Sequence, residues 1–237
     1  MNLFYHPNIS ENDTEIIFDK EESRHIGKVL RKQVGDELFT TNGAGYLFKV
    51  KLKDTTPKKC VASILQTKFN EPSAYRLHLA VAPTKLNDRY EWFLEKATEN
   101  GVSEITPIIC DHSERKVIKP ERYEKIIQGA MKQSLKTYLP RLNDAITFTE
   151  WITNHANTSN IKLIAHCEES HRHSLKEALK PKTDVLITIG PEGDFSTSEI
   201  SLALKNGFTP VSLGNSRLRT ETAAIVACHS VAFMNGI

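Results

Sequence analysis

The chain has 237 residues, enough for one large domain or two modest ones, and its 25% charged and 39% hydrophobic content is that of a water-soluble globular protein. No apolar run approaches the roughly 18 residues that a membrane span needs and the first seven residues lack a signal-peptide layout, so no membrane partner and a cytoplasmic setting are expected. Cys60, Cys110, Cys167 and Cys228 are widely spaced with no C-x-x-C pair, a pattern that supports neither a zinc site nor a disulfide framework.

A net charge of +2 hides a segregation. Residues 24–32 carry Arg24, Lys28, Arg31 and Lys32 with no acid, residues 49–59 hold five lysines against Asp54, and residues 111–141 hold eight basic side chains against four acidic ones. Such blocks predict either solvated faces or a basic surface for phosphates, with compensating acid elsewhere.

Residues 1–70 read as a small β-rich module. Leu3–Tyr5, Ile16–Phe18, Glu37–Thr41, Tyr46–Leu52 and Cys60–Gln66 are the strand candidates, and Asn42-Gly43 marks a hairpin turn. One helix starts near Glu21 and puts His25, Val29 and Leu30 close together, leaving Lys28, Arg31 and Lys32 along a basic edge. Glu71-Pro72-Ser73 is the expected linker.

After it strands and helices alternate, the mark of an α/β domain with a mainly parallel sheet. Leu77–Ala82 is a strand and Pro83–Lys85 a loop; Arg89–Asn100 is a helix closed by Gly101. Glu91, Glu95 and Glu99 recur at i, i+4 on that helix, a like-charge stripe that is solvated or meets a basic partner. Ile105–Cys110 is the next strand. A helix from about Glu121 to Leu135 carries Tyr123, Ile126, Ile127, Ala130 and Met131 on one stripe, which predicts Lys125, Lys132 and Lys136 outward. Ile161–His166 is a strand and Leu175–Leu179 a short helix. His166, His171 and His173 share the loop between them, and without a Cys or carboxylate pattern they read as loop histidines rather than metal ligands.

The last stretch is the most informative. Asp184–Ile189 is a buried strand that breaks into Gly190-Pro191-Glu192-Gly193, where absent side chains allow a flat ligand close to the backbone. Ser196-Thr197-Ser198-Glu199 matches a capping box, so a helix starts there and stops near Asn206-Gly207. A short strand, Pro210–Leu213, precedes a second glycine turn at Gly214, and Ala223–Phe233 is helical and apolar nearly all round. Two strand ends meet two helix N-termini, a usual ligand position in an open α/β sheet. Neither G-x-G-x-x-G nor a P-loop motif is present.

Gly190 to Gly193, taken with Leu213-Gly214 and Leu218-Arg219-Thr220-Glu221-Thr222-Ala223, resembles the C-terminal signature of SPOUT methyltransferases. The chain closely resembles the ribosomal small subunit methyltransferase E family, which methylates N3 of a uridine in 16S rRNA at the decoding centre. Glu95 to Glu99, Gly101 to Pro107, Ser113-Glu114-Arg115, Gln133 to Pro140 and His25-Ile26-Gly27-Lys28-Val29-Leu30-Arg31 are also similar to that family. Asn100 departs from its usual Leu, and Lys132, Leu135 and Lys136 depart from its usual Glu, Gly and Arg, so no catalytic role is carried over there.

The resemblance implies an α/β fold: a SPOUT-type trefoil-knot domain at 74–237, with the knot at about 161–237, behind a PUA-like β-barrel at 1–70. It implies S-adenosyl-L-methionine as cofactor, held by His166, Ile189, Gly190, Glu192, Gly193, Leu213, Gly214 and Leu218. The RNA, 16S rRNA within a small ribosomal subunit or its precursor, would meet Arg24, His25, Lys28, Arg31, Arg115, Lys116, Lys132 and Lys136. It further implies a homodimer packed through the C-terminal domains, and no metal.

Uridine N3 is acidic only well above neutral pH, so its anion must be favoured. Arg219 is the candidate to stabilise charge on the uracil oxygens, and Glu221 or Glu192 to orient that arginine. The base is one of these carboxylates or a water; Glu221 fits equally a helix N-terminal carboxylate meeting the dipole. Methylation of another RNA position, such as a tRNA ribose 2′-hydroxyl, and RNA binding without catalysis stand as the alternatives.

Overall fold

The computed structural model describes residues 2–158, 160–167 and 173–236; His171 of the histidine loop lies outside them. The chain folds as two compact units, Met1–Pro72 with Gln128–Leu139, and Ser73–Ile127 with Pro140–Ile237.

The first unit contains strands β1 (Leu3–Tyr5) and β2 (Glu15–Ile17), helix α1 (Lys20–Arg24), and strands β3 (Glu37–Thr41), β4 (Tyr46–Thr56) and β5 (Lys59–Phe69). They form one sheet in the order β1-β3-β4-β5-β2, with β1 parallel to β3 and the other pairs antiparallel. Strand alternation explains the lysine block at 49–59. Phe48, Val50 and Leu52 are buried while Lys51 and Lys53 on the same strand are exposed, as the two-residue period requires. Lys49 lies 2.6 Å from Glu37, and Lys53 2.7 Å from Glu15, so part of that block is neutralised across the strands.

Helix α1 starts earlier than the sequence predicts because Asp19 caps it, its Oδ1 accepting from Glu22 N at 2.8 Å. It continues into a π-helical turn at His25–Val29, where Ile26 is fully buried and Val29 is 66% exposed. Ile26, rather than Val29, is therefore the core residue of this segment.

Gln128–Leu139, read from the sequence as part of the second domain, packs with the first unit. Thr137 O accepts from Gly45 N (3.0 Å) and Thr41 Oγ1 (3.2 Å), and Tyr138 OH donates to Asn70 O at 2.8 Å. Gly45, at φ +99°, leaves no room for a Cβ, which would lie 2.4 Å from Tyr138 OH. These bonds are formed between residues more than 60 apart, which no local pattern encodes.

The second unit contains β6 (Leu77–Val81), α2 (Asn87–Glu99), β7 (Glu104–Ile109), the start of α3 (Pro120–Gln133), β8 (Arg141–Leu142), β9 (Ile146–Thr147), α4 (Phe148–Asn154) and β10 (Ile161–Ala165). It continues with β11 (His173–Ser174), α5 (Leu175–Ala178), β12 (Val185–Ile189), α6 (Thr197–Lys205), β13 (Thr209–Ser212) and α7 (Thr220–Met234). The strands make a parallel sheet in the order β11-β13-β10-β12-β6-β7-β8, with β9 also on β7. Every residue of β6 and β12 is buried, as expected for central strands covered on both faces.

Three capping boxes set helix starts, one of them Ser174 with Glu177 at α5. Ser196 and Glu199 start α6 as predicted, and Thr147 and Glu150 start α4, which the sequence reading missed. Helix α7 starts three residues before the predicted Ala223, with Arg219 at its N-cap. Among the described residues no helix is long and apolar enough to cross a membrane.

Candidate functional site

Strand β12 delivers the chain into Gly190-Pro191-Glu192-Gly193-Asp194, where Asp194 N bonds back to Pro191 O at 3.0 Å. Both oxygens of Asp194 are engaged: Oδ1 accepts from Phe195 N (2.9 Å) and Oδ2 from Cys167 N (2.7 Å), tying the loop after β10 to the loop after β12. Thr220 Oγ1 donates to Gly190 O at 3.0 Å and so fastens the start of α7 to the same turn. His112 Nδ1 lies 3.1 Å from Gly193 O and 3.0 Å from Asp194 O; both partners are acceptors, so this nitrogen carries the proton. Asp111 completes the brace, its N donating to Glu199 Oε1 (3.0 Å) and its Oδ2 accepting from Ser196 Oγ (2.6 Å).

These loops enclose a cavity of about 270 Å³ at the carboxyl ends of β10 and β12, where open α/β sheets bind ligands. Ile189, Gly190, Pro191, Glu192 and Asp194 form one wall, Arg217 to Thr220 another, and Ala165 and Cys167 a third. Of the residues expected to hold the cofactor, Ile189, Gly190, Glu192 and Leu218 line this cavity. His166 is buried between two lining residues in sequence; Gly193, Leu213 and Gly214 belong to the bounding loops without lining it. Of the expected catalytic pair, Arg219 lines the cavity and Glu221 does not. Glu221 is 6% exposed in the first turn of α7, with Oε1 3.9 Å from Arg89 Nε.

The structure shows a packing reason for the glycines. A Cβ on Gly190 would lie 3.1 Å from the buried Phe195 ring, and one on Gly193 would lie 3.0 Å from His112 Cβ. Gly190 is therefore crowded by a buried ring beneath the turn and Gly193 by the exposed His112 side chain beside it. Gly190→Val would drive into the core against the Phe195 ring.

Three charge assignments change. Arg115, expected on RNA, donates from Nε to Thr84 O (3.0 Å) and from Nη2 to Lys85 O (2.8 Å). Lys132, expected outward, bonds the buried Glu22 at 2.7 Å. The acidic stripe of α2 is neutralised: Lys96 bridges Glu95 and Glu99, and Arg122 binds Glu91. Arg24, His25, Lys28, Arg31 and Lys116 are exposed, and Lys136 is half-buried.

Sequence reasoning missed the Thr84-Lys85 loop as part of the site. Lys85 N donates to Glu192 Oε1 at 2.9 Å, and Arg115 holds the carbonyls on either side of that N–H. The Lys85 ammonium pairs with Glu114 at 2.8 Å, and this bond raises its pKa. Asp194 and Cys167 were missed as lining residues, whereas Arg217 lies in the Leu213 to Leu218 segment whose backbone the sequence assigns to the cofactor. Burial pushes the Cys110 thiol up, so it stays protonated behind this site. No group of three or more His, Cys, Asp or Glu side chains among the described residues is placed to hold a metal.

Residues 71–232 match the family described as the RNA methyltransferase domain, and residues 18–65 match the RNA methyltransferase PUA domain. The ribosomal RNA small subunit methyltransferase E of Buchnera aphidicola is 31% identical over 94% of this chain and 89% of its own length. A crystal structure described as a probable rRNA-methyltransferase from Porphyromonas gingivalis is 42% identical, with a TM-score of 0.91 over 99% of this chain and 98% of that one. A Legionella pneumophila protein solved in complex with bound SAM is 30% identical, with a TM-score of 0.88 over 98% of this chain and 97% of that one. Its paired RNA methyltransferase and PUA domains and its identity to these relatives show that the chain belongs to the ribosomal RNA small subunit methyltransferase E family.

Proposed function

We propose that the protein methylates N3 of a uridine in small-subunit ribosomal RNA, with S-adenosyl-L-methionine bound in the cavity between Gly190 and Thr220. The observation that carries this reading is the wall composition of that cavity. The backbone turns at Gly190-Pro191 and Arg217-Leu218 line it beside the apolar side chains of Ile189, Leu218 and Ala223, main-chain polar groups next to an apolar wall that suit a nucleoside-bearing sulfonium. Glu192 Oε2 is buried with no hydrogen-bond partner among the described residues, so one acceptor waits for a donor from outside the protein. Ile189, Gly190, Pro191 and Leu218 would hold the cofactor by backbone and side-chain contact, and Glu192 by its backbone alone. Bound there, the cofactor supplies an electrophilic methyl group; the protein supplies alignment, exclusion of water and charge stabilisation. Arg219 at the α7 N-cap, exposed at the cavity, provides a permanent cation for the uracil oxygens.

In this reading RNA meets Arg24, His25, Lys28, Arg31 and Lys136 on the first unit and Lys116 on the second, with Arg115 and Lys132 serving the protein's own framework. Two copies pair through α7, where Phe233 is 69% exposed and Ala223, Ile225 and Val226 are half-exposed, an apolar strip that a second chain would cover. The trefoil threading of the C-terminal loops belongs to the same proposal. Mass mapping of small-subunit rRNA from cells with and without the gene tests the activity. Loss of N3-methyluridine on deletion is expected; an unchanged map, or loss of a ribose methyl instead, would overturn it.

A further inference from the structure

We infer that Glu192 is the group that accepts the N3 proton of the target uridine, an assignment that rests on the uridine-N3 reading above. The cavity has two carboxylates, and their hydrogen bonding separates them. Asp194 has both oxygens committed to backbone N–H groups, at 2.9 and 2.7 Å. It is a structural brace. Arg217 and Arg219 have no acceptor to offer. Glu221 has a buried, unpartnered Oε2 as well, with Oε1 3.9 Å from Arg89 Nε, but it lies outside the cavity wall and so out of reach of a base bound there. Glu192 is held at one end: Oε1 accepts from Lys85 N, while Oε2 is buried and lacks a protein donor.

The clamp that fixes Glu192 is itself fixed. Arg115 bonds the carbonyls of Thr84 and Lys85, so the N–H that grips Oε1 cannot drift. Arg115 is therefore a positioning residue. A carboxylate oxygen removed from water, immobilised and without a donor is poised to receive an N–H. In the proposed step the N3–H bond breaks and the proton passes to Oε2, while its electron pair remains on N3 for the incoming methyl. The neutral carboxylic acid later returns the proton to solvent. The charged groups around Glu192 are Lys85, already paired with Glu114, together with Asp194, Arg115, Arg217 and Arg219; His112 braces the loop from the far side of Gly193.

Glu192→Gln is the test, because the amide oxygen can still accept from Lys85 N–H while its NH₂ cannot take a proton. Calorimetry should show unchanged S-adenosylmethionine affinity. Single-turnover transfer at saturating cofactor and neutral pH should fall about 10²–10⁴-fold, the usual worth of a positioned base. It should then climb roughly tenfold per pH unit, because the N3 anion must now form without help. RNA with 5-fluorouracil at the target, whose N3–H is more acidic, should recover part of the loss in the variant and change the wild type little. If the Gln variant fails to fold, E192D replaces it and should show a slower rate without that pH climb; a climb would overturn the assignment. Wild-type transfer rates in E192Q, a pH-independent loss, or lost cofactor affinity with unimpaired transfer would each overturn it. Mapping the wild-type product separates the two levels. N3-methyluridine with an unimpaired E192Q sinks the proton acceptor alone, whereas a methyl on another atom sinks the N3 reading and this role together.

Discussion

Gly190→Ala adds one carbon at the centre of the site, and the structure says what that carbon meets. Its position lies 3.1, 3.1 and 3.2 Å from three carbons of the Phe195 ring, against a comfortable carbon separation of about 3.5–4.0 Å. The ring has little room to retreat. It is 5% exposed, packs 5.1 Å from the Phe148 ring, and belongs to a core cluster with Ile108, Trp151 and Leu186. Overpacking a close-fitted core costs about 1–3 kcal/mol, and the loss of glycine entropy from the unfolded chain returns about 0.4–1 kcal/mol. Gly190 is not at positive φ, so backbone strain adds nothing. A net loss of between about zero and about 2.6 kcal/mol follows, which for a chain of this size lowers Tm by up to about 10 °C. Denaturant and thermal melts of G190A, F195L and the double variant measure it. Phe195→Leu alone should destabilise by shrinking the ring's packing, but it should also absorb most of the cost of Gly190→Ala, giving a coupling of about 1 kcal/mol or more. Strictly additive effects of the two substitutions would refute the packing account and return Gly190 to a ligand-binding role.

Four further outcomes follow from the same geometry. Lys132→Ala strands the largely buried Glu22 and should cost about 1–2 kcal/mol, with Glu22→Gln recovering much of it in the double variant; equal losses in both would show that the ion pair is idle. Each of Arg24, Lys28 and Arg31 replaced by Ala should weaken RNA binding and flatten its salt dependence by about 0.7–0.9 in log–log slope for each phosphate no longer neutralised, and an unchanged slope would remove that residue from the surface. Burial lowers the His78 pKa to about 4, against the opposing pull of Glu104. An unfolded histidine titrates near 6.5, so its stabilising contribution is complete above that pH and declines as pH falls toward 4, by up to about 3 kcal/mol. His78→Gln should flatten stability against pH across that window, and a slope equal to wild type would contradict it. Finally, Phe233→Asp should shift light scattering toward monomer at assay concentration, and a fully active monomer would refute the shared assembly. Ala227→Asp, which the helix pattern alone suggests for the same purpose, is unsuitable because Ala227 is fully buried within its own chain.

That substitution shows where local pattern stops carrying information. The apolar run of α7 predicts a helix with a buried face, and the structure has one; which residues face inward depends on phase against α2 and the sheet, and the run from Ala223 to Ala227 is apolar at every position. Where polarity alternates, phase was legible. The spacing of Phe48, Val50 and Leu52 placed β4, and Ser196 with Glu199 placed α6. The same distinction runs through the site. Its backbone turns were readable because glycine and proline mark them locally, so Gly190 to Glu192 and Leu218-Arg219 were found. Glu192 was legible as a residue of interest but not as a held carboxylate, since its partner Lys85 N is 107 positions away and the clamp on that loop comes from Arg115. A basic side chain in a basic segment looks like a phosphate ligand until its donors are counted. Arg115 spends Nε and Nη2 on two carbonyls, and Lys132 bonds Glu22 at a distance of 110 residues. Net charge by segment therefore overstates an RNA surface by those cations whose hydrogen bonds the tertiary fold has already claimed. The proposal that these segments meet RNA therefore rests on the cations left exposed, Arg24, Lys28 and Arg31 in the first unit and Lys116 in the second.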